Sequence, residues 1–233
     1  EQQRQEIVKT ALENRANFID SSPMYGEAER VLGQAVKNLG VRAEVMIATK
    51  VWTASDEIAE RQFANAFRFF EGYVDLYQVH NLVAWERRLE TLQEFKAHGK
   101  VKAIGITHYS HGAFRELSQI MQHEPIEAIQ IPYNALDREG EKEILPLAEE
   151  LNIGVLDMRP FGEGSLVRRM PPAGVTTWPQ ILLKWIASDP RISVIIPATS
   201  KAERMAENAV AGDGPWFDAD TREKVSRLAA KYS

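Results

Sequence analysis

Helix-period and strand-like hydrophobic patterns alternate along the whole chain. Short β-branched runs fall at 17 to 20, 45 to 50, 74 to 80, 101 to 107, 126 to 132, 153 to 158 and 193 to 197. Several are nearly continuous, as in Val101-Lys102-Ala103-Ile104-Gly105-Ile106-Thr107, which is the pattern of strands covered by helices on both faces. Between them apolar residues recur every three or four positions. Ala28, Val31, Leu32, Ala35, Val36 and Leu39 do so ahead of Gly40, and Trp85, Leu89, Leu92 and Phe95 do so ahead of Gly99. A glycine just past the last apolar turn is a common helix stop, because it turns left-handed without a steric cost. Ile144, Leu145, Ala148 and Leu151 repeat the pattern, as do Trp178, Ile181, Leu182, Trp185 and Ile186. A helix from Gln3 to Asn14 opens the chain. Another, with Val225, Leu228, Ala229 and Tyr232 on one face, follows the loop Gly212-Asp213-Gly214-Pro215 and is expected to pack across the outside.

This alternation predicts βα units and a parallel sheet. Seven strands are one short of a closed (β/α)8 barrel, so the expected fold is a TIM barrel of the α/β class in a single domain, 1–233. Its first strand is expected ahead of Glu1, because the chain opens on a helix. An open, doubly wound sheet is the alternative. No glycine-rich turn supports it: Gly162 and Gly164 lack a third glycine at Val167. No repeat, low-complexity tract or linker divides the chain.

Composition narrows the partners. The chain has 233 residues with 26% charged and 44% hydrophobic positions, and no apolar run approaches the roughly 18 residues of a membrane span. A formal net charge of -5 without a dense basic cluster argues against a nucleic-acid backbone and leaves a small molecule as the expected partner. With no cysteine, disulfides, thiolate metal sites and cysteine nucleophiles are excluded, and either a reducing or an oxidising compartment fits, the cytoplasm being the expectation. Oligomeric state is not legible.

The candidate chemistry sits at strand ends. In Phe18-Ile19-Asp20-Ser21-Ser22-Pro23-Met24-Tyr25-Gly26 a carboxylate closes an apolar run and a tyrosine follows in a turn. Lys50 closes the next run and His80 the one after. In a barrel all four converge at the C-terminal mouth. A phenol with an ordinary pKa near 10 is a poor acid at neutral pH, and a buried ammonium beside it is expected to lower that value. Lys50 fills this role here, with Asp20 holding the lysine and His80 hydrogen-bonding a substrate oxygen. Such a set suits proton delivery to a carbonyl oxygen as hydride reaches its carbon. Singly each residue has a plain structural role: Asp20 as a turn former, Tyr25 as a turn aromatic, Lys50 as a surface cation, His80 as a core residue.

The segments Asp20-Ser21-Ser22-Pro23-Met24-Tyr25-Gly26, Ala48-Thr49-Lys50-Val51-Trp52, Asp75-Leu76-Tyr77-Gln78-Val79-His80-Asn81 and Gly99-Lys100-Val101-Lys102-Ala103-Ile104-Gly105-Ile106 resemble the aldo-keto reductase superfamily. The resemblance implies NADPH-dependent reduction of an aldehyde or ketone on a (β/α)8 barrel, NADH being possible. Tyr25 would donate the proton, Lys50 and Asp20 would tune it, and His80 would orient the carbonyl. It further implies that Gln130 contacts the nicotinamide carboxamide. Arg159, Phe161, Gly162, Gly164 and Leu166 would fold over the pyrophosphate. Thr199, Ser200, Arg204, Glu207 and Asn208 would take the adenosine 2′-phosphate and adenine. Ser200 with Glu203 has capping-box spacing, which predicts a helix N-terminus there with free N–H groups. Three positions depart from the family pattern. Thr107-His108 stands where Ser-Asn is usual, with His108 a substitute donor. Met158 replaces an aromatic that stacks on the nicotinamide, and Ala198 replaces a lysine for the 2′-phosphate.

Trp52, Asn81 and Trp85, with Leu82, follow catalytic strand ends and are expected to line the substrate site, Trp85 being equally suited to helix packing. The connection from Val167 to Thr177, with Arg168, Arg169, Pro171, Pro172 and Gly174, is either a selectivity loop or a surface loop. Two other readings remain. A silent NADPH-binding or sensor protein could keep the same scaffold. A metal-dependent hydrolase could use His80, His108, His111 and Asp157, although no metal is expected and His111 suits the opening of a helix.

Overall fold

The computed structural model describes residues 2–168 and 178–232. The first half of the chain runs α1 (Gln2–Glu13), β1 (Phe18–Asp20), α2 (Ala28–Leu39), β2 (Met46–Val51), α3 (Asp56–Phe69), β3 (Val74–His80), α4 (Trp85–Ala97) and β4 (Val101–Thr107). The second runs α5 (Phe114–His123), β5 (Ala128–Pro132), α6 (Ile144–Glu150), β6 (Gly154–Met158), α7 (Ser165–Arg168), α8 (Trp178–Ala187), β7 (Ile192–Ile195), α9 (Ala202–Ala209) and α10 (Ala219–Tyr232). The seven strands pair in parallel and in sequence order, from β1 beside β2 to β6 beside β7. A doubly wound sheet reverses its strand order part-way, and this one does not. It curls into a nearly closed barrel with β1 and β7 as its edges. Outside, α1 packs on both α2 and α9, and Gln3 Nε2 donates to the Ser200 carbonyl at 2.8 Å, so the helical layer joins across those two edges.

Side chains alternate along each strand. Ile47, Val51, Tyr77, Val79, Ile104, Ile106, Ile129, Ile131 and Val155 face the helices in the main core. Ala48, Leu76, Ala128 and Leu156, with Phe18, Ala103, Val194 and Ile196, fill the barrel interior. Gly105 belongs to this inner series, and a Cβ there would lie 2.4 Å from the Ala128 carbonyl oxygen, so only glycine lets β4 and β5 approach as they do. One inward step toward the strand C-termini the apolar filling gives way to Asp20, Lys50, Gln78, His80, Thr107 and Gln130. That change carries the chemistry.

Helix stops fall as expected at Gly40 and Gly99, whose φ values of 69° and 71° are left-handed. α3 lies between β2 and β3 as the alternation predicts; it buries Ala59, Phe63 and Ala66, and two alanines give a weak apolar stripe. One expectation needs correction. The Ser200–Glu203 capping box does not form. α9 begins at Ala202 behind an extended Lys201, which caps it without a side-chain hydrogen bond, while Thr199 Oγ1 accepts from Lys201 N at 3.2 Å. The last helix does lie across the outside, with Val225 and Ala229 buried. No helix among the described residues is long and apolar enough to cross a membrane.

Candidate functional site

Four side chains meet at the C-terminal mouth of the barrel. Lys50, next to last in β2, projects inward and is 1% exposed. Its Nζ donates to both carboxylate oxygens of Asp20 at 2.6 Å and to the Ser21 carbonyl at 2.9 Å. Tyr25 ends a short 3-10 turn, Pro23–Tyr25, that Ser22 caps: its Oγ accepts from Met24 N at 3.2 Å. This turn brings the half-exposed Tyr25 ring over the lysine, with Nζ 5.6 Å from the ring centroid. His80, last in β3, stands edge-on to Tyr25 with ring centroids 6.2 Å apart. Its Nδ1 lies 3.0 Å from Ser22 Oγ.

The electrostatics differ from the sequence expectation in one respect. The Tyr25 phenol is pushed up to about 12, chiefly by burial, with the Asp20 charge adding and Arg159 opposing. The phenol is thus less acidic than its ordinary value near 10, although the Lys50 ammonium lies 5.6 Å from its ring centroid. Burial also raises the Asp20 carboxyl and lowers the Lys50 ammonium, each opposed by the other's charge. The His80 imidazole is held down at about 4 by burial and by its neighbours Lys50 and His108. It is therefore neutral at physiological pH.

A polar layer continues round the barrel from this group. Gln78 Nε2 donates to Gln130 Oε1 at 3.1 Å and reaches Asp20 Oδ1 at 3.5 Å. Thr107 ends β4 in register with Gln130, and its fully buried Oγ1 has no hydrogen-bond partner among the described residues. His108 Nδ1 accepts from Ser110 N at 3.0 Å, which leaves Nε2 as the protonated nitrogen of the neutral ring. The His108 ring stacks on Tyr109 at 5.2 Å, and the Arg159 guanidinium sits 5.1 Å from the Tyr109 ring centroid. Met158, half-buried, ends β6. Arg159 follows it with a left-handed φ of 62° and pairs with Glu163 at 3.0 Å. Phe161, Gly162 and Gly164 form a tight turn into α7, where Leu166 is buried.

The remaining positions divide. Trp52 lies beside His80, ring centroids 6.4 Å apart, and is 40% exposed, so it presents an apolar face at the mouth. Asn81, Leu82 and Ala84 all adopt left-handed φ between 52° and 55°, a strained backbone immediately after His80. Trp85 is not brought to this group: its Nε1 donates to Glu116 at 3.1 Å, and it borders a cleft of about 590 Å³ between α4 and α5 that none of the four residues lines. The spacing that starts α4 at Trp85 turns the ring sideways onto α5. Arg204 and Glu207 are exposed on α9, with Asn208 half-buried beside them. Among the described residues Ser200 is engaged through its backbone carbonyl alone, and the Thr199 hydroxyl is occupied by Lys201. Arg169, Pro171, Pro172, Gly174 and Thr177, with the side chains of Arg168 and Tyr232, lie outside the described residues.

Three site residues went unassigned in the sequence. Gln78 stands two positions before His80 and hence on the same inward face, so strand alternation alone could have found it. Ser22 contacts His80 across 58 residues, and nothing local signals that. Glu29 on α2 is buried, accepts from Thr49 Oγ1 at 2.5 Å and is raised by burial. His111 opens a 3-10 turn into α5 and pairs with Asp137 at 2.8 Å instead of joining His80. Among the described residues no three His, Asp or Glu side chains could hold a metal ion together.

The model of the aldo/keto reductase family matches residues 1–174. The chain belongs to that family. It is 33% identical over 183 residues to the aldo-keto reductase YhdN of Bacillus subtilis (strain 168), covering 71% of this chain and 54% of that protein. It is 26% identical over 287 aligned positions to the NADH-specific methylglyoxal reductase of Escherichia coli (strain K12), covering 93% of this chain and 86% of that one. The chain spans about half the length of its relatives at 30% identity or more. An aldo/keto reductase from Klebsiella pneumoniae, solved with NADP and acetate, superposes with a TM-score of 0.81 at 23% identity, covering 98% of this chain and 86% of that chain. Aldo/keto reductases thus share this chain's barrel architecture.

Proposed function

We propose that this protein reduces an aldehyde or ketone to an alcohol by hydride transfer from NADPH, with Tyr25 as proton donor. The observation that carries the reading is the buried Asp20–Lys50 pair beneath a half-exposed phenol that faces a neutral histidine. When bound, NADPH supplies the hydride. As negative charge develops on the carbonyl oxygen, Tyr25 gives up its phenolic proton to it. A phenol at about 12 keeps that proton until a stronger base forms, and an alkoxide is such a base. His80, neutral, donates a hydrogen bond to the same oxygen and orients the carbonyl. Lys50 and Asp20 hold the floor of the site in one geometry, and their combined charge is near zero.

The residues around the group suit the nicotinamide. Thr107 offers an unpartnered hydroxyl, Gln130 a carboxamide and His108 an Nε2–H, all on adjoining strand ends. Arg204 on α9 would favour NADPH through its 2′-phosphate, and the turn from Arg159 to Leu166 would lie against the pyrophosphate. Met158 offers the nicotinamide ring a soft, apolar face. Trp52 and Asn81 border the carbonyl site. A relative named as a methylglyoxal reductase makes small dicarbonyls a sensible start for a substrate panel. The test is NADPH binding by fluorescence, then NADPH oxidation against aldehydes, ketones and dicarbonyls, with Tyr25→Phe as control. Turnover that collapses in Tyr25→Phe is expected. Tight binding with no turnover on any carbonyl would assign the chain to the silent, sensor-like reading instead.

A further inference from the structure

Ser22 is fully buried, and its single hydroxyl touches two groups: Oγ accepts from Met24 N at 3.2 Å and lies 3.0 Å from His80 Nδ1. A hydroxyl has one proton to donate. If Nδ1 carried the histidine proton, Oγ would accept from both neighbours, and its own proton would be stranded without a partner among the described residues. Buried donors left in that state are disfavoured, so the alternative prevails. We propose that Ser22 is a positioning residue, which donates its proton to His80 Nδ1 and thereby fixes the imidazole as the Nε2–H tautomer.

The consequence concerns the reaction proposed above, on which the functional half of this inference rests. Nδ1 faces the Ser22 turn, so Nε2, at the other end of the ring, is the nitrogen available to the site and carries a proton to donate. The other tautomer would present a lone pair to the carbonyl oxygen, repelling the charge that develops there. The same turn that Ser22 caps carries Tyr25, so one hydroxyl sets both the angle of the phenol and the donor end of the imidazole. The charged and titratable groups near His80 are Tyr25, Lys50 and His108, and burial keeps the ring neutral.

The test does not depend on turnover. Long-range proton–nitrogen correlation spectra of the full chain labelled with nitrogen-15, at pH 7, report the tautomer of each ring, and a His80→Gln spectrum assigns the signal. The expected wild-type result is His80 as the Nε2–H form almost entirely, and a mixture of both tautomers in Ser22→Ala. In the reductase assay Ser22→Ala is expected to lower kcat about five-fold, the scale of one neutral hydrogen bond, with NADPH affinity unchanged. Ser22→Thr should restore most of that loss. A wild-type ring in the Nδ1–H form overturns the assignment without any variant, as does an unchanged tautomer ratio in a folded Ser22→Ala. Absence of turnover in the wild type, with the tautomer as expected, would refute the reductase reading while leaving this assignment standing.

Discussion

Replacing Lys50 with methionine keeps the length of the side chain and removes its charge, which isolates the role of the ion pair. Lys50 Nζ makes its hydrogen bonds to Asp20 at 2.6 and 2.6 Å and to the Ser21 carbonyl at 2.9 Å, and both side chains are nearly inaccessible, at 1% and 4%. After substitution Asp20 keeps a direct bond only to Gln78 at 3.5 Å and the nearby Gln130 amide. Removing one partner of a buried pair costs about 3–5 kcal/mol when the other must stay charged. Asp20 has an escape, because burial already raises its carboxyl and the lysine that opposed this is gone. In the variant it will fold protonated over a wide pH range. The folded state then binds a proton that the unfolded chain releases, so stability falls as pH rises from the ordinary carboxylate range to the raised folded value, by about 1.4 kcal/mol per pH unit. Urea unfolding followed by tryptophan fluorescence at pH 5 and pH 8 measures this. Lys50→Met is expected to fall less far below the wild type at pH 5 than at pH 8, with carbonyl reduction lost at both. An equal deficit at the two pH values, or none, would refute the buried-pair reasoning.

Other expectations follow from the same geometry. His80 is held at about 4 against an ordinary 6.5, so the unfolded chain takes up a proton that the folded ring refuses. Stability should fall as pH drops from 6.5 through 4, by about 3 kcal/mol over the whole window, and His80→Gln should flatten that part of the urea-unfolding profile. Gly105→Ala places a Cβ 2.4 Å from the Ala128 carbonyl oxygen and should cost about 1–3 kcal/mol in urea unfolding by forcing β4 and β5 apart. Arg204→Ala should raise KM for NADPH roughly five-fold, as for an exposed ion pair of about 1 kcal/mol, and leave KM for NADH unchanged.

The barrel was legible because its strands are buried on both faces and its helices on one, so hydrophobic periodicity changes at each βα junction. Asp20, Lys50 and His80 could be placed at one mouth on that basis alone, since a parallel barrel sends every strand end to the same side. Three things were not legible. The side-chain contact between Ser22 and His80 joins residues remote in sequence, and no local pattern encodes it. The Tyr25 phenol was expected to be acidified by Lys50, but burial and the Asp20 charge push it up instead, and both depend on the folded surroundings of the ring. Trp85 follows the end of β3 by five residues, and the intervening backbone, left-handed at Asn81, Leu82 and Ala84, leads into an α4 whose first indole meets Glu116. The same limit applied to Ser200: capping-box spacing was present, and the start of α9 one residue later left it unused.

The central claim is that hydride passes to a carbonyl carbon while Tyr25 supplies the proton to its oxygen. The most direct measurement uses NADPH carrying deuterium at both transferable positions of its nicotinamide, with an aldehyde or ketone that the panel identifies, and reads the alcohol product by NMR. The account predicts one deuterium on the carbinol carbon for every product molecule made by the wild type, and almost no product from Tyr25→Phe although it still binds NADPH. Product without deuterium at that carbon, or product formed equally fast by Tyr25→Phe, would contradict it.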